Sequence, residues 1–296
     1  MTTSPAERHS TPVDGVTVLG ALSPSRAGDF MTCPLLYRYR TVDRLAEEPS
    51  ADALRGTLVH KVLEDLFDLP AADRTPLSAR DMLGPRYEWL REQDEQLDAL
   101  FGDDEQAREA WLASCHTSLA SYFELEDPTR LEPAEREVYV EALLDSKLLL
   151  RGFIDRLDIA PNGMVRVVDY KSGKAPGEMF EAKALFQMKF YALVLWRTRG
   201  IIPAVLQLIY LGSGDILRYS PDEADLIATE RKIEAVWKAI NQAQLAGDWR
   251  PRRSRLCDWC SYQAHCPEFG GELLPLPPDP ALQQEIAEIL DAQAHQ

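Results

Sequence analysis

One segment near the middle of the chain most strongly constrains the fold, because it contains three β-rich runs in close succession. The two breaks between the runs, Asp145-Ser146 and Pro161-Asn162-Gly163, consist of residues that favour turns. Short turns join strands that are neighbours in the chain, so the segment is predicted to form a three-stranded meander. The predicted strands are Glu137 to Leu144, Leu148 to Ile159 and Met164 to Tyr170.

Segments with helical periodicity lie on both sides of this meander. Ser23 followed by Pro24 is typical of a helix start, and apolar residues from Leu54 to Leu66 recur on one helical face. We therefore predict an α/β fold in which a central mixed β-sheet is flanked by helices. The other predicted elements are helices at 51–69, in two parts at 76–126 with a break near Gly102, at 177–198 and at 221–246, and strands at 205–211 and 216–219.

The chain of 296 residues is predicted to form one large domain at 21–272. A flexible N-terminus is expected at 1–20, and a Pro-rich linker with a short C-terminal helix at 273–296. Within the domain, residues 70–130 are predicted to be an acidic helical insertion, and residues 250–270 a cysteine-rich segment.

The formal net charge of −16 argues against a protein that binds nucleic acid through its overall charge. Residues 84–146 contain 17 acidic residues and 5 arginines, so this stretch alone carries −12 and the rest of the chain −4. The acidity is therefore predicted to belong to the helical insertion and to lie outside the motifs described below.

The apolar runs and the cysteines of the sequence predict where in the cell the protein is located. No apolar run approaches the roughly 18 residues of a membrane span, and no secretion signal opens the chain. The five cysteines are an odd set, unlike the even frameworks of secreted proteins. We expect a cytoplasmic protein with no membrane partner.

Two acids and a lysine are predicted to meet on the meander. Alternate residues of a strand share a face, so Asp169 and Lys171 point the same way. A hairpin across the Pro161 to Gly163 turn brings Asp155 beside Asp169. Two facing carboxylates favour a divalent cation, and oxygen ligands suit Mg²⁺ or Mn²⁺. A metal there, with Lys171 orienting a water molecule, suits phosphodiester hydrolysis.

Two helices carry further candidate residues. His60 and Glu64 lie four residues apart and share a helix face, from which His60 can reach the metal. Gln187 and Tyr191 have the same spacing, and this pair can contact a DNA backbone or steady the lysine.

Three cysteines are crowded as Cys257-x2-Cys260-x5-Cys266, although a metal site of this kind needs four thiolates. Cys33 is the best candidate for the fourth, and Cys115 is the alternative. Zinc and an iron–sulfur cluster both satisfy the chemistry. Closing this site gathers arginines and aromatic residues that suit contact with single-stranded DNA. The predicted DNA-binding residues are Arg38, Arg40, Arg250, Arg252, Arg253, Arg255 and Trp259.

The order of these motifs resembles the PD-(D/E)xK nuclease superfamily, and within it the RecB-like exonucleases. The resemblance rests on His60, Gly-Phe-Ile-Asp155, Asp169-Tyr-Lys171 and Gln187-x-x-x-Tyr191, and spans roughly residues 22–270. It implies a restriction-endonuclease-like core. It also implies that His60, Asp155, Asp169 and the backbone carbonyl of Tyr170 bind metal, that Lys171 is catalytic, and that Gln187 and Tyr191 act near the DNA backbone.

One cysteine before this core and three after it resemble the 4Fe-4S nucleases of the AddB and CRISPR-adaptation type. That resemblance favours an iron–sulfur cluster over zinc, and it implies a cluster that joins the N-terminal and C-terminal segments.

The expected function is a metal-dependent DNA exonuclease that acts on single strands or DNA ends in repair or recombination. A CRISPR-adaptation nuclease and a non-catalytic DNA-binding subunit of a helicase–nuclease complex remain alternatives. The chain has no Gly-x4-Gly-Lys-[Ser/Thr] loop for ATP, so a helicase or other repair protein is the expected partner for unwinding.

Overall fold

A computed structural model of the protein describes residues 18–48, 50–175 and 177–276, together with Gln284, Ile286 and Ala287. For residues 178–181 only the backbone is described. The predicted N-terminal flexible segment, apart from its last three residues, and most of the predicted C-terminal helix lie outside these ranges.

A six-stranded mixed sheet forms the centre of the described chain, in agreement with the predicted class of fold. The long strand β3 has β2 antiparallel along one edge. Its other edge pairs first with β1, in parallel, and then with β4, antiparallel. The sheet continues through β5, parallel to β4, and ends at β6. The strands are β1 (Gly20–Leu22), β2 (Glu135–Leu143), β3 (Leu148–Ile159), β4 (Val165–Lys171), β5 (Val205–Tyr210) and β6 (Asp215–Tyr219).

Helices flank the sheet, and most begin at a residue whose side chain accepts a backbone N–H of the first turn. Ser23 caps the first helix, Ser50 the third and Asp222 the last, which satisfies donors that the helix itself leaves unpaired. The helices are α1 (Pro24–Thr32), α2 (Pro34–Tyr37), α3 (Ala51–Leu66), α4 (Pro76–Gln93), α5 (Gln96–Phe101), α6 (Glu105–Leu125), α7 (Glu178–Arg199) and α8 (Glu223–Ala246).

Each face of the sheet is covered by its own group of helices. On one face, Val167 and Leu208 pack in a single apolar core with residues of α1, α7 and α8. On the other face, Val168 and Ile209 pack in a second core with residues of α3 to α6. The predicted insertion at 70–130 contains three helices rather than two, and these helices complete one of the two layers that bury the sheet.

A buried ion-pair network fastens the end of α6 to the sheet. The guanidinium of Arg156 in β3 is 1% exposed and lies 2.9 Å from a carboxylate oxygen of Glu126. It also lies 3.1 Å from Asp158 Oδ1 and donates to the hydroxyl of Tyr170. Every charged group of this network has a partner, as burial of ions requires.

None of the described helices has the combination of length and apolar composition that is needed to cross a bilayer.

Candidate active site

The site lies where β3 and β4 separate. The last paired residues of this ladder are Arg156 and Val168, so Asp155 and Asp169 face each other just beyond its end. The backbone N–H of Tyr170 donates to Asp155 Oδ2 over 2.7 Å. The predicted approach of the two acids therefore agrees with the register. The open ladder leaves Asp155 at the wall of a cavity, whereas Asp169 is 2% exposed and stays paired with β5.

Lys171, Asp169 and Gln187 form a closed triangle of contacts. Lys171 Nζ lies 2.7 Å from Asp169 Oδ2 and donates to Gln187 Oε1 over 3.0 Å. Gln187 Nε2 in turn donates to Asp169 Oδ1 over 2.9 Å. The Tyr191 hydroxyl, one turn further along α7, lies 3.4 Å from Gln187 Nε2. The structure brings the four residues together on the cleft side of the sheet.

Gly152 allows α7 to approach β3 this closely. A Cβ atom at this position would lie 2.8 Å from the ring of Tyr191, which is closer than carbon atoms pack. The glycine in the Gly-Phe-Ile-Asp155 motif is therefore required by the tight contact between strand and helix.

His60 reaches the site from α3, on the other side of the fork. Its Nε2 lies 2.9 Å from the carbonyl oxygen of Tyr170, and its Nδ1 lies 3.5 Å from Asp155 Oδ2. With a proton on Nε2, the ring would donate to this carbonyl and leave the Nδ1 lone pair on the side of Asp155. The Tyr170 carbonyl, which was expected as a metal ligand, lies next to His60 at this site, and its role toward a metal stays a prediction.

Glu137 is a site residue that the sequence reasoning missed. In the β2–β3 register it stands opposite Asp155, but the two do not form a ladder pair, and its φ of +43° is a strained conformation for this residue type. Ligand atoms of His60, Glu137 and Asp155 all lie within 4.8 Å of one another. The acidic stretch at 84–146 thus supplies one member of the site, which corrects the expectation that it lies outside.

Burial and mutual repulsion set the protonation of these groups. Burial, followed by the charge of Asp169, raises the pKa of Asp155 well above its ordinary value. Burial, then Glu64 and Asp169, raises the pKa of Glu137 to about 7. Burial alone would lower the pKa of Lys171, but the adjacent Asp169 raises it, so the ammonium stays protonated. Burial lowers the pKa of His60 and keeps its imidazole neutral.

A wide cleft opens over this constellation, with a volume of about 1110 Å³. Asp155, Lys171, Gln187 and Tyr191 all line it. Its other basic lining residues, from α1, β3 and the start of α7 and from the segments near them, are Arg26, Arg40, Arg151, Lys174 and Lys183. Among the described residues, only Asp29 and Asp155 contribute acidic side chains to this wall, so the cleft is cationic in a protein that is acidic overall.

The predicted DNA-binding arginines do not share one surface. Arg40 lines the cleft, where Asp29 pairs with it at 2.8 Å. Arg38 is 3% exposed, donates to the carbonyl of Leu274 over 2.6 Å and pairs with Asp43, so it is a structural residue and its predicted contact with DNA was wrong. The others lie close to the cysteines in sequence, two of them (Arg252 and Arg253) line the cysteine cavity, and none lines the cleft: Arg250, Arg252, Arg253, Arg255 and Trp259.

Four partly exposed thiols line one cavity of about 50 Å³ that is open on one side, and they are those of Cys33, Cys257, Cys260 and Cys266. The backbone N–H of Arg252 lies 3.3 Å from Cys33 Sγ, and that of Ser254 lies 3.3 Å from Cys257 Sγ. Cys115 is fully buried on α6, away from this cavity. The structure therefore assembles the predicted four cysteines, across more than 220 residues of sequence.

This geometry agrees with the comparisons. The chain belongs to the PD-(D/E)XK nuclease superfamily, whose sequence pattern matches residues 21–267. Nucleases of this superfamily use divalent metal ions, and the group of His60, Glu137 and Asp155 has the spacing of a metal site.

The relatives of known sequence include two phage proteins. The chain is 26% identical over 274 residues to the gene 69 protein of Mycobacterium phage D29, covering 83% of this chain and 96% of that protein. It is 24% identical over 297 residues to the gene 69 protein of Mycobacterium phage L5, covering 86% and 99%.

A bacterial protein and a solved structure match as well. Over 121 residues the chain is 30% identical to one of the subunits of an ATP-dependent helicase/deoxyribonuclease from Streptococcus mutans, covering 40% of this chain and 11% of that protein. A crystal structure from Eubacterium rectale, described as a candidate exonuclease, superposes with a TM-score of 0.55 at 13% identity and covers 94% of this chain and 97% of its own. That likeness shows a shared fold.

Proposed function

We propose that this protein is a metal-dependent exonuclease that hydrolyses phosphodiester bonds in single-stranded DNA or at DNA ends during repair or recombination. One observation carries the proposal: Asp155, Asp169 and Lys171 meet at an open strand fork, at the wall of a cationic cleft. The cleft has a volume of about 1110 Å³ and is open to solvent, so it has room for a strand of nucleic acid.

The residues present fit a divalent cation. A ring nitrogen of His60 and carboxylate oxygens of Glu137 and Asp155 are close enough to bind one ion, and Asp169 faces Asp155 across the fork. Two carboxylates with raised pKa values mark a place where negative charge is poorly compensated by the protein alone. We propose these four side chains as the ligands, with Glu137 added to the set.

The bound ion would polarise the scissile phosphate and lower the pKa of a coordinated water molecule. Lys171 remains protonated beside Asp169, so it cannot accept a proton and instead offers N–H donors to the phosphate oxygens as negative charge develops. Gln187 forms hydrogen bonds with both Lys171 and Asp169 and thereby fixes the distance between the Lys171 ammonium and the Asp169 carboxylate, which is a proposed metal ligand.

We propose that the four cysteines hold a 4Fe-4S cluster that joins the N-terminal and C-terminal segments. Zinc–sulfur bonds of about 2.3 Å place tetrahedral thiolates roughly 3.8 Å apart. Within the described residues, no three of these thiols approach within 4.8 Å of one another. Four thiols around one cavity, with no three of the described ones within 4.8 Å of one another, fit a cubane of four irons better than a single ion, and backbone N–H groups directed at sulfur suit cluster thiolates.

The decisive test is cleavage of end-labelled single-stranded and duplex DNA in Mg²⁺ or Mn²⁺. Wild type should release short products, whereas Asp169→Asn and Lys171→Met should lose at least about a hundredfold in rate. Asp145→Asn and Lys238→Met, which alter exposed groups on a turn and on α8, serve as matched controls and should retain full activity. Equal rates for Lys171→Met and Lys238→Met would refute the proposed chemistry.

A further inference from the structure

We propose that Tyr139 and Phe153 form a stacking platform for an unpaired base of the DNA strand bound in the cleft. This inference rests on the proposed nuclease function and deepens it, because it implies that the DNA is unpaired next to the scissile phosphate.

The platform is a cross-strand aromatic pair. Tyr139 in β2 stands directly opposite Phe153 in β3, with ring centroids 5.3 Å apart. Tyr139 is 46% exposed and Phe153 is 56% exposed. The Tyr139 hydroxyl donates to Glu141 Oε2 over 2.7 Å, which fixes the orientation of its ring. Two large rings held against each other but open to solvent present a ready apolar surface.

The position of the pair connects it to the chemistry. Phe153 and Asp155 line the same cleft and lie two residues apart on β3, which corresponds to about 7 Å along the strand. Tyr139, which also lines the cleft, lies two residues from Glu137 on β2. Among the exposed large apolar side chains of the described residues, only Tyr139 and Phe153 line the cleft.

The charges around the pair favour a nucleotide over an apolar protein segment. Arg151 lies beside Phe153 on β3, and Arg26 and Lys174 belong to the same wall. A cationic groove follows a phosphate backbone, and aromatic side chains between the cations stack on bases without regard to sequence. A base within a duplex has both faces covered by its neighbours, so such a ring pair is available only to a base that has left the stack.

The test measures binding separately from cleavage. In the Lys171→Met background, fluorescence anisotropy with a labelled oligothymidylate and with a blunt duplex gives the two dissociation constants. Phe153→Ala and Tyr139→Ala should each weaken binding of the single strand roughly tenfold, because stacking on one base is worth about 1–3 kcal/mol. Duplex binding should change less than about twofold, and Phe153→Trp should restore affinity for the single strand.

Ile159→Ala is the matched control, since Ile159 lies on the same strand, is 50% exposed and does not line the cleft. Thermal melting of each variant shows that it is folded. In the Lys171→Met background with Phe153 intact, a single abasic residue moved along the oligonucleotide should reproduce the loss of affinity at one position, and it should cause no further loss when Phe153→Ala is added.

Two failures are distinguishable. If the protein with intact Lys171 cleaves DNA but Phe153→Ala binds the single strand as tightly as Ile159→Ala, the platform is refuted and the nuclease stands. If single-strand affinity falls as predicted while the protein with intact Lys171 cleaves no DNA, the chemistry is refuted and the binding site stands. Equal losses for single strand and duplex would overturn the assignment to an unpaired base.

Discussion

Asp155 accepts a hydrogen bond from the backbone N–H of Tyr170 over 2.7 Å, beyond the last paired residues of the β3–β4 ladder. The Asp155 carboxylate therefore accepts a backbone N–H at the open end of the sheet and also belongs to the group of possible metal ligands with His60 and Glu137. This double role explains why the fork can stay open, because the N–H of β4 keeps an acceptor where the ladder no longer supplies one.

Gln187 is expected to act as a positioning residue. Gln187→Met keeps the side-chain length but removes the hydrogen bonds to Lys171 and Asp169, so kcat should fall roughly 10–100-fold with little change in KM. Loss of an acceptor lowers the pKa of Lys171, so the alkaline limb of the pH–rate profile should move to lower pH. Steady-state kinetics across pH provides the measurement. Gln242→Met, at an exposed position of α8, should behave as wild type, and an unchanged pH profile in Gln187→Met would assign Gln187 a purely structural role.

Glu137 is expected to contribute to metal affinity. Glu137→Gln removes one carboxylate from the group with His60 and Asp155, and the affinity for Mn²⁺ measured by isothermal titration calorimetry should fall roughly 10–100-fold. Glu109→Gln changes an exposed glutamate of α6 and should bind Mn²⁺ as wild type does. Identical Mn²⁺ affinities in the two variants would remove Glu137 from the ligand set.

The stability of the metal-free protein should decrease as the pH rises, because of Glu137. The pKa of Glu137 is raised from 4.5 to about 7, first by burial and then by Glu64 and Asp169. A raised pKa stabilises the folded state fully below the unfolded value, and this contribution is lost as the pH rises through the folded value. As the pH rises from about 4.5 to 7 in EDTA, the melting temperature of wild type should therefore fall relative to that of Glu137→Gln. Saturating Mg²⁺ should reduce this difference in melting temperature. If the melting temperature of wild type instead rose relative to that of the variant over this pH range, the raised pKa of Glu137 would be contradicted.

Arg156 is expected to be essential for stability. Arg156→Met leaves the largely buried carboxylate of Glu126 without its main partner, while Asp158 keeps Arg166, so the free energy of unfolding should fall by about 3 kcal/mol. Urea denaturation measures the change. The exposed ion pair of Arg91 with Glu88 provides the contrast, and Arg91→Met should cost less than about 1 kcal/mol. Similar losses in both variants would mean that the network does not fasten α6 to the sheet.

The cysteine cavity predicts a coloured protein. Purified without oxygen, wild type should contain about four irons per chain and show broad visible absorbance, and Cys257→Ser should lose both. Cys115→Ser alters the buried cysteine of α6 and should keep the iron and the colour. A colourless wild type that contains one zinc per chain would refute the cluster.

Local patterns predicted most of the fold and much of the arrangement of the site. The strand alternation of Asp169 and Lys171, and the one-turn spacing of Gln187 and Tyr191, are short-range features that survive in any context where the strand and the helix form. Asp155 required only the turn at 161–163 to set its register. These residues meet in the structure as expected, although their chemical roles remain predictions.

The remaining features depend on tertiary structure that local patterns do not encode. In the sequence, Glu137 is one acid among many, and its place in the site follows from a positive φ and from the register with β3. Arg38 belongs to a basic cluster in the sequence, but the fold encloses it against Leu274 and Asp43. The arginines next to the cysteines are close to one another in sequence, yet they are displaced from the cleft because the cysteine segment packs around its own cavity.

Residues 76–125, which form α4 to α6 and the segments between them, contain 11 acidic and 4 basic residues and pack on the face of the sheet opposite to α7, which lines the cationic cleft. This separation of charge gives the molecule an electric dipole. A polyanion that approaches the α4–α6 side is repelled, whereas one that approaches the cleft is attracted, so the field turns the protein during diffusion before any contact forms. Encounter with DNA is thereby biased toward the productive orientation at low ionic strength, while the negative overall charge limits binding elsewhere on the surface.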